Sequence, residues 1–291
     1  MGNDLGAATA AISTTISRLA GDASIEIGTH DVGELAAARE VLEPGRRLYV
    51  SFLPKQGWEE TRQACIAVRK AGFEPVPHIP VRRIESEAAL EKILRSVVDE
   101  AGVREVLLIA GDTPVVSGPF AATIQAMRTK AFASARLTRI SFGGHPEGHP
   151  TVVPAEIRRA EREKATLAKE MGLEATFVTQ FFFEAPSFLA WVDQLRANGI
   201  DAHVRAGLAA PASLGTLFRF ALRCGIGPSI RALGSRQVSA FALAAERGPD
   251  EILQRLAEAL VNGSARFDGV HFYSFGGFLR ACEWLRRETG V

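Results

Sequence analysis

Eight short apolar runs, each followed by a longer segment of helical period, set the tightest limit on what this chain can fold into. The runs lie at Ser24–Ile27, Leu48–Phe52, Glu74–His78, Glu105–Ile109, Thr138–Phe142, Thr176–Phe182, Ala202–Ala206 and Val270–Tyr273. Strands alternate with helices when a parallel sheet is covered by its own crossover connections. The segment from Trp58 to Lys70 carries apolar residues at helical spacing and stops at Gly72, and that from Pro154 to Met171 opens on proline and stops at Gly172. Gly102 and Asn198-Gly199 end two more helices in the same way. About sixty residues separate the last two runs, which predicts three short helices around Thr216, Gln237 and Ile252.

Eight parallel strands can close into a barrel or stay open as a doubly wound sheet. The open sheet usually carries a glycine-rich phosphate turn after its first strand. Here the nearest match is Gly225-Ile226-Gly227, with Ile230 where a third glycine belongs, and no P-loop is present. A (βα)8 barrel needs roughly 250 residues, and the chain has 291. The expected fold is therefore a single-domain (βα)8 TIM barrel over residues 21–291, preceded by an N-terminal arm at 1–20.

Charge excludes some partners. The formal net charge is +1 with acids and bases interspersed, so no electrostatic footprint for nucleic acid is expected. Cys65, Cys224 and Cys282 stand apart with no CxxC pair, which fits a reducing cytoplasm. The first twenty residues lack a basic opening and a long apolar run, so neither a signal peptide nor a membrane span is expected.

Catalytic groups of such barrels sit at the C-terminal ends of strands, where side chains enter a shared mouth. Those positions carry Glu26, Ser51, His78, Asp112, His145 with His149, Gln180 and Tyr273. Each has a plain structural alternative. Glu26 could be a solvent-facing strand residue, but inside a barrel a carboxyl is costly to bury charged, and its pKa rises toward that of a general acid. Asp112, before Thr113-Pro114, could be a turn residue. His78 could be a core histidine. His145 and His149 lie four apart in a Gly/Pro loop with no evident third ligand, so no metal is expected. Gln180 beside Phe181-Phe182-Phe183 is either a bonded core amide or the reader of a planar ligand's polar edge.

Taken in order, these segments resemble the catalytic barrel of the methylenetetrahydrofolate reductases. Val178-Thr179-Gln180-Phe181-Phe182-Phe183-Glu184 is similar to the family's TQFFFD run, Gly111-Asp112-Thr113-Pro114 to its RGDxP loop, and Pro77-His78 to its PHL strand end. His145-Pro146-Glu147-Gly148-His149-Pro150 resembles the YPExHP loop, Ala206-Gly207-Leu208 with Pro211 the GIxP turn, and His271-Phe272-Tyr273 the HFYTLN segment. The resemblance implies a flavoenzyme that moves hydride between NAD(P)H, bound FAD and a folate-borne one-carbon unit. It implies that Glu26 is the acid that protonates the folate bridge and that Asp112 stabilises the cationic folate. Gln180, Phe220, Tyr273 and Arg280 would bind substrate. Ser51, His78, Ala110, Gly111, Asp112, His145 and His149 would line the cofactor, with Lys169 at its diphosphate. Family members assemble, so a homo-oligomer is implied as well.

Departures from the pattern are specific. The FEFFPP segment is reduced to Ile25-Glu26-Ile27-Gly28, the arginine before Gly-Asp is Ala110, and the loop tyrosine is His145. The chain stops at Val291 soon after its last helical segment, so inhibition by a methyl-donor nucleotide is not expected. Two function classes follow: a reductase working in either direction, or a folate-binding barrel without flavin redox chemistry that serves methyl transfer or one-carbon catabolism.

Overall fold

The computed structural model describes residues 2–53, 56–224 and 246–289. All eight expected strands form: β1 (Ser24–Ile27), β2 (Arg47–Val50), β3 (Glu74–Pro80), β4 (Glu105–Ile109), β5 (Arg139–Gly144), β6 (Glu174–Phe181), β7 (His203–Ala209) and β8 (Gly269–Tyr273). Each pairs in parallel with its neighbours, and β8 returns to β1 through Ser24↔His271, so the sheet is a closed (βα)8 barrel. Closure leaves no unpaired sheet edge.

Alternation along each strand sorts side chains into two environments. Ile25 and Ile27, Leu48 and Val50, Val106 and Leu108, Ile140 and Phe142 are fully buried in the large apolar cluster between sheet and helices. Burying each such side chain contributes on the order of 2 kcal/mol before entropy is counted. Residues of the opposite parity face the barrel interior, where among the described residues a small apolar cluster of Val76, Leu107, Val178 and Ile109 with Tyr49 forms. The rest of the interior is polar, including Ser24, Glu26, His78, Glu105, Ser141 and His271.

Local chemistry places the helices as read. Before α3 (Trp58–Lys70), the Glu60 carboxylate accepts from the Gly57 N–H at 3.0 Å. In α4 (Glu87–Ala101), Ser86 accepts from the Ala89 N–H, and Gly102 closes the helix with φ +60°. Helix α7 (Pro154–Glu170) starts on its proline, and α8 (Ala185–Ala197) ends at Asn198. Between β7 and β8 the chain forms α9 (Leu214–Cys224) and α10 (Asp250–Val261), while the helix expected near Gln237 and the Gly225 to Ile230 stretch lie outside the described residues. The segment expected as an N-terminal arm forms a helix, α1 (Gly2–Gly21), packed on α10 and on α11 (Phe278–Thr289). Leu19 and Ala20 are fully buried there, with Ile12 and Ile16 against the core. Its apolar residues recur at 12, 16, 19 and 20, a helical stripe, which is the physical reason it docks.

Candidate active site at the barrel mouth

Glu26 projects from β1 into the upper barrel, with 24% of its side chain exposed. Burial pushes its carboxyl up to about 7. Across the interior, from β3, the Nε2 of His78 stands 4.0 Å from the Glu26 carboxylate, and burial pushes His78 down to about 4. Near neutral pH the histidine is therefore uncharged while the acid retains its proton part of the time. A ring series continues below: His78 edge-on to Tyr49, Tyr49 to His271 at 4.7 Å, and His271 to Tyr273 at 4.7 Å. Ser24 hydrogen-bonds His271 Nδ1 at 2.9 Å, and burial holds His271 down at about 3.

Tyr273 donates to the carbonyl of Thr179 at 2.8 Å, reaching from β8 over β7 to β6. Gly207 makes that reach feasible, because a Cβ on residue 207 would lie 2.2 Å from the same carbonyl oxygen. The β6–β7 ladder shifts register between Val178 and Phe181, at the residues flanking Gln180. Around this irregularity, Phe181, Phe183, Phe220, Tyr273 and Phe275 form an aromatic wall; Phe220 and Phe275 lie 4.4 Å apart between ring centres. Phe275 has φ +48°, an unusual conformation for a bulky residue.

Asp112 is exposed on the loop after β4. That loop is pinned by Arg82, whose backbone N–H donates to Ala110 and whose guanidinium donates to Thr113 and Ala121. Gly111 takes φ +94°, with Pro80 against it. Burial and the charge of Arg82 hold His149 below its ordinary value against the opposing charge of Asp112, and its ring sits 5.1 Å from His145 between ring centres. Burial, with Lys164 beside it, pushes His145 down to about 3. Ser51 is buried and donates to the Ile27 carbonyl at 3.3 Å. Among the described residues no group of three or more His, Cys, Asp or Glu side chains converges to hold a metal.

Two of the residues named from the sequence, Lys169 and Arg280, lie on helices and not on strand ends. Lys169 is exposed in the last turn of α7, the end that leads into the start of β6. Arg280 lies on α11 more than half exposed, with Glu246 at 3.9 Å, among surface residues such as Glu283 and Arg287. Sequence reasoning missed the lysine that does turn inward. Lys164 lies over the Phe142 ring at 5.6 Å, where burial holds its ammonium below the ordinary value against the opposing charge of Glu161, itself bonded to Trp191 Nε1. A signal existed: positions 161, 164 and 168 share one helical stripe, from which 169 departs. Phe275 had no such signal beyond the two glycines that follow it.

The fit of a planar heterocyclic cofactor and substrate can be tested on two atoms. His78 Nε2 and Gln180 Oε1 are buried at the mouth without a protein partner. Leaving such a group unpaired costs about 1–3 kcal/mol. A flat heterocycle with hydrogen-bonding edges and apolar faces, lying against the aromatic wall, matches both atoms.

Fold and mouth together define a (βα)8 barrel with a buried acid, a neutral histidine and an aromatic wall, the class to which acid-assisted barrel enzymes belong. The sequence model of methylenetetrahydrofolate reductase matches residues 56–274, about three quarters of the chain, and the chain belongs to that family. Its relatives include the 5,10-methylenetetrahydrofolate reductase of Pectobacterium carotovorum, 27% identical over 158 residues, covering 52% of this chain and 49% of the relative. That of Escherichia coli is 26% identical over 148 residues, 48% of this chain and 45% of the relative. Methylenetetrahydrofolate reductase (NADH) 1 of Arabidopsis thaliana is 27% identical over 143 residues, 45% of this chain and 23% of the relative. The matched part of the chain spans about half the length of the bacterial relatives.

Proposed function

We propose that this barrel interconverts 5,10-methylenetetrahydrofolate and 5-methyltetrahydrofolate, with NAD(P)H as reductant and FAD as the bound carrier. The observation that carries this reading is Glu26, a buried carboxyl pushed up to about 7 and facing a neutral histidine. A carboxyl of that kind holds a proton near neutrality and can deliver it. Glu26 protonates the bridging nitrogen of the folate's five-membered ring, and the ring opens to a cationic iminium that accepts hydride. Asp112, on the mouth loop, stabilises the developing cation. The buried oxygen of Gln180 accepts from the substrate's N–H edge, and Phe220 and Tyr273 hold its flat face.

Bound FAD would supply the hydride-exchanging ring that no side chain provides. His78, through its unpartnered Nε2, with Ser51, Ala110, Gly111, His145 and His149, would border that ring, and Lys164 would meet its diphosphate in place of Lys169. Among the described residues no helix is long and apolar enough to cross a membrane, in keeping with work on a diffusing folate in the cytoplasm.

The test is an absorbance spectrum of the purified protein, followed by anaerobic addition of 5-methyltetrahydrofolate. Flavin bands that bleach with the folate support the reading. Glu26→Gln should still bleach with NAD(P)H yet fail to reduce methylenetetrahydrofolate. A colourless protein that binds folate and cannot be reconstituted with FAD would overturn the redox assignment and favour the binding or methyl-transfer alternative.

A further inference from the structure

The end of the barrel opposite the mouth opens into a cavity of about 750 Å³ whose lining includes Arg47, Arg69, Arg104 and Arg139. Arg47 and Arg139 begin strands β2 and β5, and Arg104 immediately precedes β4. The first residues of adjacent strands alternate in sign, Arg47↔Glu74 and Arg139↔Glu174, which by itself describes a belt of ion pairs closing the barrel floor.

Donor and acceptor counts depart from a closed belt. Three of the four carboxylates, Glu74, Glu105 and Asp22, are spent. Glu74 takes both terminal nitrogens of Arg69, which hold its carboxyl below the usual range. Glu105, only 1% exposed, accepts from Tyr49 at 2.9 Å, Ser141 at 2.5 Å and Arg139 Nε at 3.2 Å. Asp22 accepts from the buried Arg205 at 2.5 Å, and Glu174 lies 3.4 Å from His203.

Donors on the cavity side are not spent. Arg139 uses only Nε, so its two terminal nitrogens are uncommitted. Arg47 has carboxylates at 3.7 Å and 3.9 Å, beyond hydrogen-bond length. Arg104, in the same lining, makes no side-chain hydrogen bond or ion pair within 4 Å among the described residues, and its charge helps hold Glu74 low. Glu105 anchors Arg139 from inside the barrel, so a guanidinium fork is presented to the cavity without the freedom of an ordinary surface arginine. Guanidinium forks match the paired oxygens of phosphate groups.

We propose that this floor cavity binds a phosphate-class oxyanion, held by Arg104, Arg139 and Arg47, at a site separate from the folate-binding mouth. The site does not depend on the redox reading of the mouth.

The experiment is calorimetric titration of the full chain with inorganic pyrophosphate at low salt, and then with ADP. One saturable pyrophosphate site is expected, weakened roughly tenfold or more by Arg104→Gln, loosened by added NaCl, and unchanged by Gln180→Ala at the mouth. Arg104 makes no side-chain hydrogen bond among the described residues and only adds to the field on Glu74, so this variant retains the fold even if Arg139→Gln, which strips Glu105 of a partner, does not. ADP binding that is lost equally in Arg104→Gln would mark the source as a nucleotide phosphate, and binding of pyrophosphate alone would mark a free anion; both support the site. Absence of saturable binding at low salt, or unchanged affinity in Arg104→Gln, would overturn it.

Discussion

Replacing Glu26 by Gln should stabilise the protein in alkaline solution and leave it unchanged in acid. The carboxyl goes from an ordinary value of 4.5 to about 7 because burial disfavours its charged form. Between those two values the folded state keeps a proton that the unfolded chain has released. Unfolding therefore releases a proton, and raising the pH favours the unfolded state. Stability from this group is intact below about pH 4.5 and falls as pH climbs toward about 7, after which it levels off. At about 1.4 kcal/mol per pH unit, the loss across that window is roughly 3 kcal/mol. Gln fills the same space, carries no titrating group and escapes the loss.

Urea unfolding of both proteins at several values between about pH 5 and pH 8 gives the comparison. His145 and His271 titrate alike in both proteins, so the difference between the two curves reports on residue 26 together with its neighbour His78. The variant should exceed the wild type by under about 1 kcal/mol near pH 5 and by about 3 kcal/mol near pH 8. A difference that stays constant over the whole range would refute the assignment of a buried, proton-holding carboxyl, and with it the acid role.

Two further substitutions probe the mouth. Gly207→Ala places a Cβ 2.2 Å from the Thr179 carbonyl oxygen, so β7 must move off β6; a loss of at least about 2 kcal/mol is expected by urea unfolding, and wild-type stability would show that the β6–β7 approach is not tight. For the diphosphate contact, Lys164→Met should lower flavin retention after gel filtration while Lys169→Ala leaves it unchanged. The reverse order would return the role to Lys169.

Much of the barrel was legible because its outer shell is apolar in strict alternation. Ile25 and Ile27, or Val106 and Leu108, announce a strand whatever lies inside, and glycines such as Gly102 end helices by backbone geometry alone. The boundaries moved where pairing, rather than hydrophobicity, decides the last residue: β3 runs on to Pro80 and β7 to Ala209, both past the apolar runs. That the N-terminal segment is helical was not legible, because its composition is poor in large side chains. Its docking depends on α10 and α11, which lie more than two hundred residues away in sequence.

At the site, residue types and strand ends alone nominated Glu26, His78, Gln180 and Tyr273, since a polar group at the end of a buried strand has few other uses. Distance belongs to the closed sheet. That His78 stands 4.0 Å from Glu26, that Tyr273 crosses Gly207 to Thr179, and that Arg139 hangs from Glu105 are results of which strands become neighbours and how far the ladder is staggered. The same holds for Lys164 and Lys169, alike in charge and five residues apart. Which of them faces the sheet is set by the rotation of α7 against β5 and β6, a packing choice made by burial of Glu161, Ala168 and Trp191 together. Alternation and capping are local and can be read along the chain. The pKa of an acid, the partner of an arginine and the inward face of a helix depend on atoms brought together only when the barrel closes.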